Sequence, residues 1–527
     1  MDGPRKRLYL LHRWTGLLLA LAGMLVFFSG AIATFHEELD AWSGRGHRFA
    51  SIQHLPGFDL DEAYRVAAEG LPEDQQRRVS IRQLPGHPLR FTFRAARGDE
   101  AVIRSVDPVS TSLVSSAQGR LTELQPLPKE RTLARFFLDL HIFLLMPRTL
   151  GLIATGLAGF GLLVLVCTGT LVHLPRLYKL FRRPRTHKLR QLLGDLHTLV
   201  GSWTLPYTLV LALTGTFLSF AGAVLLPVIA LVAFDGDQDE LVRVALGTVE
   251  VADSDDVARL QPIVDDACER RPGSEFFIVN LADWRDEGAN ATVRLVEHST
   301  TSETAHALVY DGHTGAFLRA KPRIGTTPSW GSTALTVTSQ LHFGTLLGVV
   351  TKILWGICGL MTCFIAASGL LIYLQRHELQ RHEHDSVATK GPAASRLVRI
   401  IFVALAGGLP MATAITGLAW AAACRLPGAD PPSAMTVGFL ATLATAAAVG
   451  AVTDLRRALV VTWSMAGFGF GAVVLSAPMA TGVGVAEAWS DPSLRSTVLV
   501  DAALLVFGAT CLWAAARVRK GSPAKAR

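Results

Sequence analysis

The stretch LHRWTGLLLALAGMLVFFSGAIATF, residues 11–35, begins with a leucine–histidine pair and continues as an apolar run long enough to cross a membrane. The pair occurs at three other places, Leu140-His141, Leu196-His197 and Leu341-His342, and each time it leads into a long apolar run. Hydrocarbon offers histidine no hydrogen-bond partner, so a histidine at a membrane boundary should be hydrated, paired or bound to a metal. Four such residues on four helices could supply two pairs of axial ligands, which is the chemistry of a membrane cytochrome.

The composition predicts a polytopic membrane protein. The 527 residues are 50% hydrophobic and only 18% charged, which is more apolar surface than a soluble domain of this length needs. A spanning helix needs roughly 20 apolar residues, and eight runs meet that requirement. They are approximately 8–35, 149–174, 199–233, 346–374, 397–424, 434–452, 458–482 and 496–516.

Two of these runs have special features. The first is too long for the apolar core of a cleavable signal peptide, so we expect a retained helix. The third is too long for one straight span and contains Pro227, so we expect it to bend or to end in an interfacial turn.

Basic residues predict the orientation. Lysine and arginine are concentrated in segments 1–13, 175–194, 375–399 and 517–527, which lie on one side if every run crosses once. The positive-inside rule then places both termini in the cytoplasm. The net charge of +7 follows from this topology, and a nucleic-acid partner is not expected because the basic residues flank helices. Membrane lipid is the expected surrounding partner.

Two polar segments are predicted to face the periplasm, and they resemble each other. Each has one short helix, at 58–70 or 254–271, followed by three strands. Turns are expected at Pro85-Gly86, Arg97-Gly98, Asp286-Gly288 and Asp311-Gly312. Such a small sheet buries a core on one face only, so each module should dock on its neighbour or on the membrane bundle.

The fold class is therefore a mostly α membrane protein with about eight transmembrane helices and two small α+β periplasmic modules. We assign the first helix to 1–36, the two modules to 37–147 and 235–341, helices 2 and 3 with a basic cytoplasmic loop to 148–234, helix 4 to 342–376, a cytoplasmic linker to 377–396, four additional helices to 397–516 and a basic tail to 517–527.

This order of motifs resembles the PepSY-associated transmembrane family, often called iron-regulated membrane proteins, over about residues 5–376. The motifs are the LHRWTG helix, the LHTLVG helix, a module that ends in YDGHTG and the LHFGTLLG helix. The family includes diheme inner-membrane reductases of ferric siderophores. The resemblance therefore implies PepSY-like modules, two b-type haems in a four-helix core and electron flow to periplasmic ferric chelates. The last four spans depart from the compact form of the family, and His173 stands where we expect a tryptophan.

Predicted depth sorts the histidines into pairs. We expect His12 and His197 to ligate one haem iron near the cytoplasm, and His141 and His342 to ligate a second near the periplasm. Two alternatives stay open, because His36 could replace His141 and His173 could replace His197. Gly16, Gly201, Gly344 and Gly348 could clear space for a macrocycle, although for the glycines alone ordinary helix packing is the better explanation.

The electron donor is predicted to be a membrane quinol or a separate reductase. GFGFG at 467–471 has no preceding strand, so it is not a dinucleotide-binding loop.

No histidine follows His384, so the four additional helices cannot supply a pair of histidine ligands.

The leading hypothesis is a diheme oxidoreductase that delivers electrons to a ferric siderophore or another periplasmic ferric chelate. The alternative is a non-enzymatic PepSY membrane protein that binds or regulates a periplasmic protease or sensor. A transporter is a third hypothesis with little support, because Asp454, Glu487 and Asp501 all lie near span ends.

Overall fold

A computed structural model of the chain describes residues 3–44, 52, 55–83, 88–95, 101–113, 132–173, 183–185, 189–237, 241, 257–284, 288–298, 303–322, 330–384, 393–426, 429–490 and 494–520. The predicted turns at Pro85-Gly86 and Arg97-Gly98 lie outside the described residues, as do most of 175–194, part of 375–399 and the end of the basic tail. Two compact units are present. The first comprises residues 1–43, 131–223 and 352–527, and the second comprises 44–130 and 224–351.

Helices dominate the described part of the chain. In chain order they are α1 Pro4–Ala33, α2 His36–Ser43, α3 Leu60–Ala68, α4 Leu133–Phe143, α5 Arg148–His173, α6 Leu189–Trp203, α7 Leu205–Phe220, α8 Leu226–Ala233, α9 Leu260–Arg270, α10 Trp330–Phe343, α11 Val349–His384, α12 Ala393–Phe402, α13 Gly408–Ala423, α14 Pro431–Val452, α15 Leu455–Thr481, α16 Val485–Ser490 and α17 Arg495–Lys520. The strands are β1 Arg78–Arg82, β2 Leu89–Arg94, β3 Val102–Asp107, β4 Ser112–Leu113, β5 Glu275–Ala282, β6 Asn290–His298, β7 Glu303–Asp311 and β8 Phe317–Lys321.

The prediction of eight membrane-spanning helices is confirmed. Helices long and apolar enough to span occur at Pro4–Ala33, Arg148–His173, Leu205–Ala233, Val349–Arg376, Ser395–Ala423, Pro431–Val452, Leu455–Thr481 and Arg495–Lys520. The chain is therefore a multi-pass membrane protein.

The third apolar run differs in detail from the prediction. It divides at Thr204, where α6 ends and α7 begins with Pro206 in its first turn. Proline has no N–H to donate and is tolerated where a helix begins, which explains this division. A π-helical turn at Ala221–Leu225 then precedes α8, whose first turn contains Pro227. His197 therefore lies on α6, one helix before the span that it was expected to open.

The two modules of the second unit form one antiparallel sheet with the strand order β4-β3-β2-β1-β5-β6-β7-β8. They join at β1 and β5, where Ser80 pairs with Asn280 and Val79 pairs with Leu281. Each module thus docks on its neighbour, which is one of the two arrangements that the sequence left open.

Helices α3 and α9 cover the same face of this sheet and bury one continuous core with it. Leu60, Ile81, Phe91 and Val279 are completely buried there. Strand residues of opposite parity point away from this core, so the two faces of the sheet differ in chemistry.

At the N-termini of α3 and α9, a side chain from the other module accepts a hydrogen bond from the first helical amide. The amide of Leu260 donates to Oδ1 of Asp61 at 2.6 Å, and the amide of Leu60 donates to Oε1 of Gln261 at 2.9 Å. Asp61 and Gln261 lie 200 positions apart in the sequence. Ser80 and Asn280, which pair across the β1–β5 ladder, are also 200 positions apart. The modules are therefore consecutive copies of one repeat, related by an approximate two-fold axis.

Within the first unit, the four additional helices contact α2 through its buried tryptophan. The indole N–H of Trp42 donates to Oδ1 of Asp501 on α17 at 2.8 Å, and its ring lies 5.5 Å from that of Trp420 on α13. Trp42 is fully buried and Asp501 is 3% exposed. A carboxylate buried among apolar helices needs such donors, because burial without a partner costs several kcal/mol.

We predict that Trp42→Phe destabilises the protein by about 1–3 kcal/mol, because it removes a donor from a buried carboxylate. The measurement is the thermal unfolding midpoint of the detergent-solubilised protein. Trp489→Phe is the matched control, since Trp489 is 61% exposed. Equal midpoints for the two variants would show that the Trp42–Asp501 contact contributes nothing measurable.

Candidate metal centre

The structure brings His12 and His197 together. His12 lies near the start of α1 and His197 near the middle of α6, and both belong to the first unit. Their ring centroids are 6.5 Å apart, and the ring planes are almost perpendicular, at 86°. The first predicted pair is therefore adjacent in space although 185 residues separate its members in the sequence.

Hydrogen bonds assign the tautomer of His12. Its Nδ1 lies 3.2 Å from the carbonyl oxygen of Leu165 and 3.2 Å from the hydroxyl of Thr168 on α5. The Thr168 hydroxyl already donates to Val164, and a carbonyl can only accept, so Nδ1 must carry the hydrogen. Nε2 then carries the lone pair that a metal needs.

A hydroxyl on another helix assigns the tautomer of His197 in the same way. Its Nδ1 lies 2.9 Å from the hydroxyl of Ser368 on α11, and that hydroxyl donates to the carbonyl of Ile365. Ser368 must therefore accept the hydrogen of Nδ1, which leaves the lone pair on Nε2. Metal-binding histidines are usually oriented in this way, by an oxygen that accepts their other N–H.

Glycines next to these hydroxyls make room for the imidazoles. A Cβ atom on Gly169 would lie 3.0 Å from Cε1 of His12, and one on Gly369 would lie 3.5 Å from Cε1 of His197. Thr168-Gly169 and Ser368-Gly369 are matching dipeptides 200 residues apart, so the repeat of the sheet unit continues into the membrane helices. Sequence analysis missed both dipeptides, although this spacing could have identified them.

The four glycines that the sequence suggested as space for a macrocycle have other roles. Gly16 and Gly201 are in ordinary van der Waals contact with Leu165 and Ile365, at 3.6 and 4.0 Å from an added Cβ. Gly344 and Gly348 have φ angles of +70° and +59° in the turn between α10 and α11, a conformation that favours glycine.

His173, the alternative to His197, lies at the C-terminal end of α5. It is close enough to act electrostatically on both His12 and His197. His173 is therefore in the electrostatic neighbourhood of His12 and His197, whose ring centroids lie 6.5 Å apart.

His141 is also oriented by a backbone oxygen. It lies on α4, and its Nδ1 is 2.9 Å from the carbonyl oxygen of Val26 on α1, so Nδ1 carries the hydrogen. The ring packs against Gly30, where an added Cβ would lie 2.8 Å from Cε1. His36, the alternative at this level, contacts the carbonyl of Ala33 in its own turn, at 3.0 Å.

His342 lies on α10 in the second unit, half-buried, with its ring 5.5 Å from that of Phe343. Its pairing with His141 stays a prediction. The two residues nevertheless occupy matching places in the repeat. Each is the second residue of a leucine–histidine pair near the end of a helix that precedes a spanning helix.

The ligand set indicates the kind of metal group. Within the described ranges, no three or more histidine, cysteine or acidic side chains are arranged to hold a metal ion by themselves. A pair of histidines supplies only two ligands. Two imidazoles suit an iron whose other four positions are filled by a macrocycle, as in haem.

A family model matches most of the chain. The model of the family described as the PepSY-associated TM region matches residues 9–376, which is more than two thirds of the chain. No curated protein matches the sequence. The matched range contains all six candidate ligand histidines and ends before α12.

We predict that Gly30→Ala destabilises the protein by about 1–3 kcal/mol, because the new methyl group would overlap the His141 ring. Gly23→Ala is the matched control on the same helix, since nothing lies within 4 Å of its added Cβ. Thermal unfolding of the purified variants tests the difference. If Gly30→Ala unfolds at the wild-type temperature, His141 is not held against α1 in this way.

Proposed function

Because the chain belongs to the PepSY-associated transmembrane family, we propose that it is a diheme oxidoreductase of the bacterial inner membrane that passes electrons to periplasmic ferric chelates such as ferric siderophores. The observation that carries this proposal is the His12–His197 pair, with both rings oriented through Nδ1.

The spacing of the pair fits one shared iron. Two metal–nitrogen bonds of about 2 Å, each extended by roughly 1 Å from the nitrogen to the ring centre, add to about 6 Å. The observed separation of the ring centres is 6.5 Å. Edge-to-face ring pairs also occur at this separation, so the proposal depends on the orientation of both rings through Nδ1 as well.

A haem bound by these residues would supply reversible one-electron transfer, with a potential set by its ligands and its burial. The residues of the chain prepare the site. Leu165, Thr168 and Ser368 hold the two N–H groups, which fixes the ring orientations and increases the basicity of the ligating nitrogens. Gly169 allows α5, which carries Thr168, to approach the His12 ring closely.

The repeat supports a second haem between His141 and His342. His12 and His197 share the pattern leucine–histidine followed by glycine four positions after the histidine, each at the start of a repeat. His141 and His342 likewise share one position, near the end of the helix that precedes a spanning helix in each repeat. Pairing equivalent residues in both cases gives two b-type haems per chain.

Cytoplasmic termini and periplasmic modules complete the proposal, on the basis of the basic segments 1–13 and 175–194. Electrons then enter from the cytoplasmic side or from the membrane. The proposed donor is a membrane quinol or a separate reductase, since the glycine-rich run GFGFG at 467–471 lies within α15 and is not a nucleotide-binding loop.

We predict two non-covalent haems per chain, and one after either His12→Ala or His342→Ala. Each substitution removes an axial ligand from a different iron. Pyridine haemochrome analysis of the purified protein measures the ratio. His313→Ala is the control that should keep both haems, since His313 lies in a turn of the second module.

Two results would overturn this assignment. One is a folded protein without haem, and the other is a single haem that neither substitution removes. Retention of the second haem in His141→Ala with its loss in His36→Ala would instead assign that ligand to His36.

We also predict that reporter fusions at residues 120 and 290 are active only in the periplasm. The positive-inside rule places both modules there if the basic segments are cytoplasmic. Paired periplasmic and cytoplasmic reporters at each site provide the measurement and its internal control. A cytoplasmic signal at either site would invert the proposed direction of electron flow.

A further inference from the structure

Helix α10, which precedes the spanning helix α11, is exposed along one side. Trp330, Ala334 and Val337 are four and seven positions apart, so they lie on the same side of the helix, and all three are exposed. Trp330 is 93% exposed and Val337 is 40% exposed. We call these three residues the exposed face of α10. An aligned set of exposed apolar side chains, unlike a single one, marks a surface that contacts something other than water.

The apolar surface continues into the turn that leads to α11. Its exposed apolar residues are Leu346, Leu347, Val349 and Val350. Two hydrogen bonds keep this turn compact. The amide of Thr345 donates to the carbonyl of Gln340 at 3.1 Å, and the amide of Leu347 donates to the hydroxyl of Thr351 at 2.7 Å. Helix α10 therefore ends beside the point where the membrane-spanning helix begins.

This whole segment lacks charge. No acidic residue, lysine or arginine occurs between Arg323 and Lys352. A helix that faces water usually has charged residues on its outer side. Apart from His342, the polar side chains of α10 are those of threonine, serine and glutamine. Such a helix suits the headgroup region of a bilayer, where apolar contacts and neutral hydrogen bonds are both available.

The ion pairs of Lys352 indicate the depth of the first turn of α11. The ammonium group lies 2.8 Å from a carboxylate oxygen of Glu37 and 3.2 Å from one of Glu38, both on α2. Three charged groups are not expected together within hydrocarbon. The first turn of α11 is therefore at the membrane–water interface, and α10 approaches it at the same level.

The equivalent helix of the first repeat shows a surface that protein covers. Helix α4 occupies the same place, with His141 where α10 has His342. Four of its apolar residues are buried in one cluster with Met435 and Phe439 of α14. They are Leu133, Phe136, Phe137 and Leu140. The rings of Phe136 and Phe439 lie 5.5 Å apart.

The equivalent positions of α10 have smaller or more polar side chains. Counted from the two histidines, the equivalents of Leu133, Phe136 and Phe137 are Ala334, Val337 and Thr338. The ion pair of α4 between Arg135 and Asp139 has uncharged equivalents, threonine and glutamine. The large side chains that pack α4 against a protein neighbour are therefore missing from α10. This difference between the repeats favours lipid over a second protein as the contact of the exposed face.

We propose that α10 lies in the membrane–water interface, with its exposed face among the lipid headgroups and the upper acyl chains. Indole prefers this depth, because its ring is apolar and its N–H needs an acceptor. The helix attaches the second unit to the bilayer and places His342 near the membrane surface. The inference goes beyond the proposed function and does not depend on haem or on the direction of electron flow.

Tryptophan fluorescence tests the depth of Trp330. The full-length protein is placed in nanodiscs of phosphatidylcholine whose acyl chains are brominated near the carbonyl end. The emission of Trp330→Phe is subtracted from that of the wild type. We expect the brominated lipid to quench at least about half of this difference and aqueous iodide to quench less than about a tenth of it, because the indole lies among lipids.

Two tryptophans on other elements provide controls. Trp284 is buried in the core of the second unit, so the difference obtained with Trp284→Phe should respond to neither quencher. Trp513 is 61% exposed on the spanning helix α17, so the difference obtained with Trp513→Phe should respond to brominated lipid. Phosphatidylglycerol in place of phosphatidylcholine should leave the Trp330 result unchanged, since α10 has no charge to attract an anionic lipid.

Cysteine reactivity gives a second measurement, which does not depend on fluorescence. Val337→Cys and Val109→Cys each place a thiol at an exposed valine of the second unit, and Val109 lies in the turn between β3 and β4. In nanodiscs we expect a membrane-impermeant maleimide to modify Val337→Cys at least about tenfold more slowly than Val109→Cys, because lipid shields α10. Mass spectrometry of each peptide gives the rate at that position.

Two kinds of result would overturn this inference. Quenching of Trp330 by iodide, or equal rates at the two valine positions, would place α10 in water. Protection of α10 from iodide and maleimide without quenching by brominated lipid would show that protein covers the exposed face. Haem content enters neither measurement, so this inference and the diheme function are tested separately.

Discussion

Each imidazole in the membrane part of this protein must give its N–H to an oxygen, because apolar side chains cannot accept it. In the first unit, this requirement links helices to one another. Leu165 and Thr168 accept from His12, Ser368 accepts from His197, and Val26 accepts from His141. Each acceptor lies on a different helix from its histidine, so the same bonds that select the tautomer also fix helix against helix. Small residues at these contacts let the backbones approach.

Duplication explains why the histidines occur in pairs. A single helix–module–helix repeat has one histidine of each kind, and its small sheet has one face to bury. Two repeats pair β1 with β5 and exchange helix caps through Asp61 and Gln261. The same relation brings His12 beside His197, with Thr168 and Ser368 in equivalent roles. A metal that needs two equivalent ligands thus suits a protein built from two equivalent halves.

Hydropathy predicted the eight spans, because a run of apolar residues is a local property. Leucine–histidine pairs and predicted depth were enough to suggest that His12 and His197 meet. Other features depend on contacts between distant residues. Thr168 and Ser368 look like ordinary helix residues until the partner histidine is known, and the arginines of RVSIR and LRFTFR oppose each other only in the observed register. The helix break at Thr204 could have been predicted locally, because Pro206 favours a helix start there. It was missed because the apolar run continues through it without a change in hydropathy.

Charged side chains have different surroundings in the two units. In the first unit, the buried carboxylate of Asp501 accepts a hydrogen bond from the indole N–H of Trp42. Burial of a carboxylate among apolar helices without such a donor would cost a large free energy. In the second unit, arginines of β1 and β2 oppose each other on one side of a sheet whose other side is a core of leucine, valine and aromatic residues. Burial of that core is worth far more than the repulsion between opposed arginines costs, at about 25 cal/mol per Å² of apolar surface. The fold can therefore tolerate opposed arginines that strand stability alone would not select.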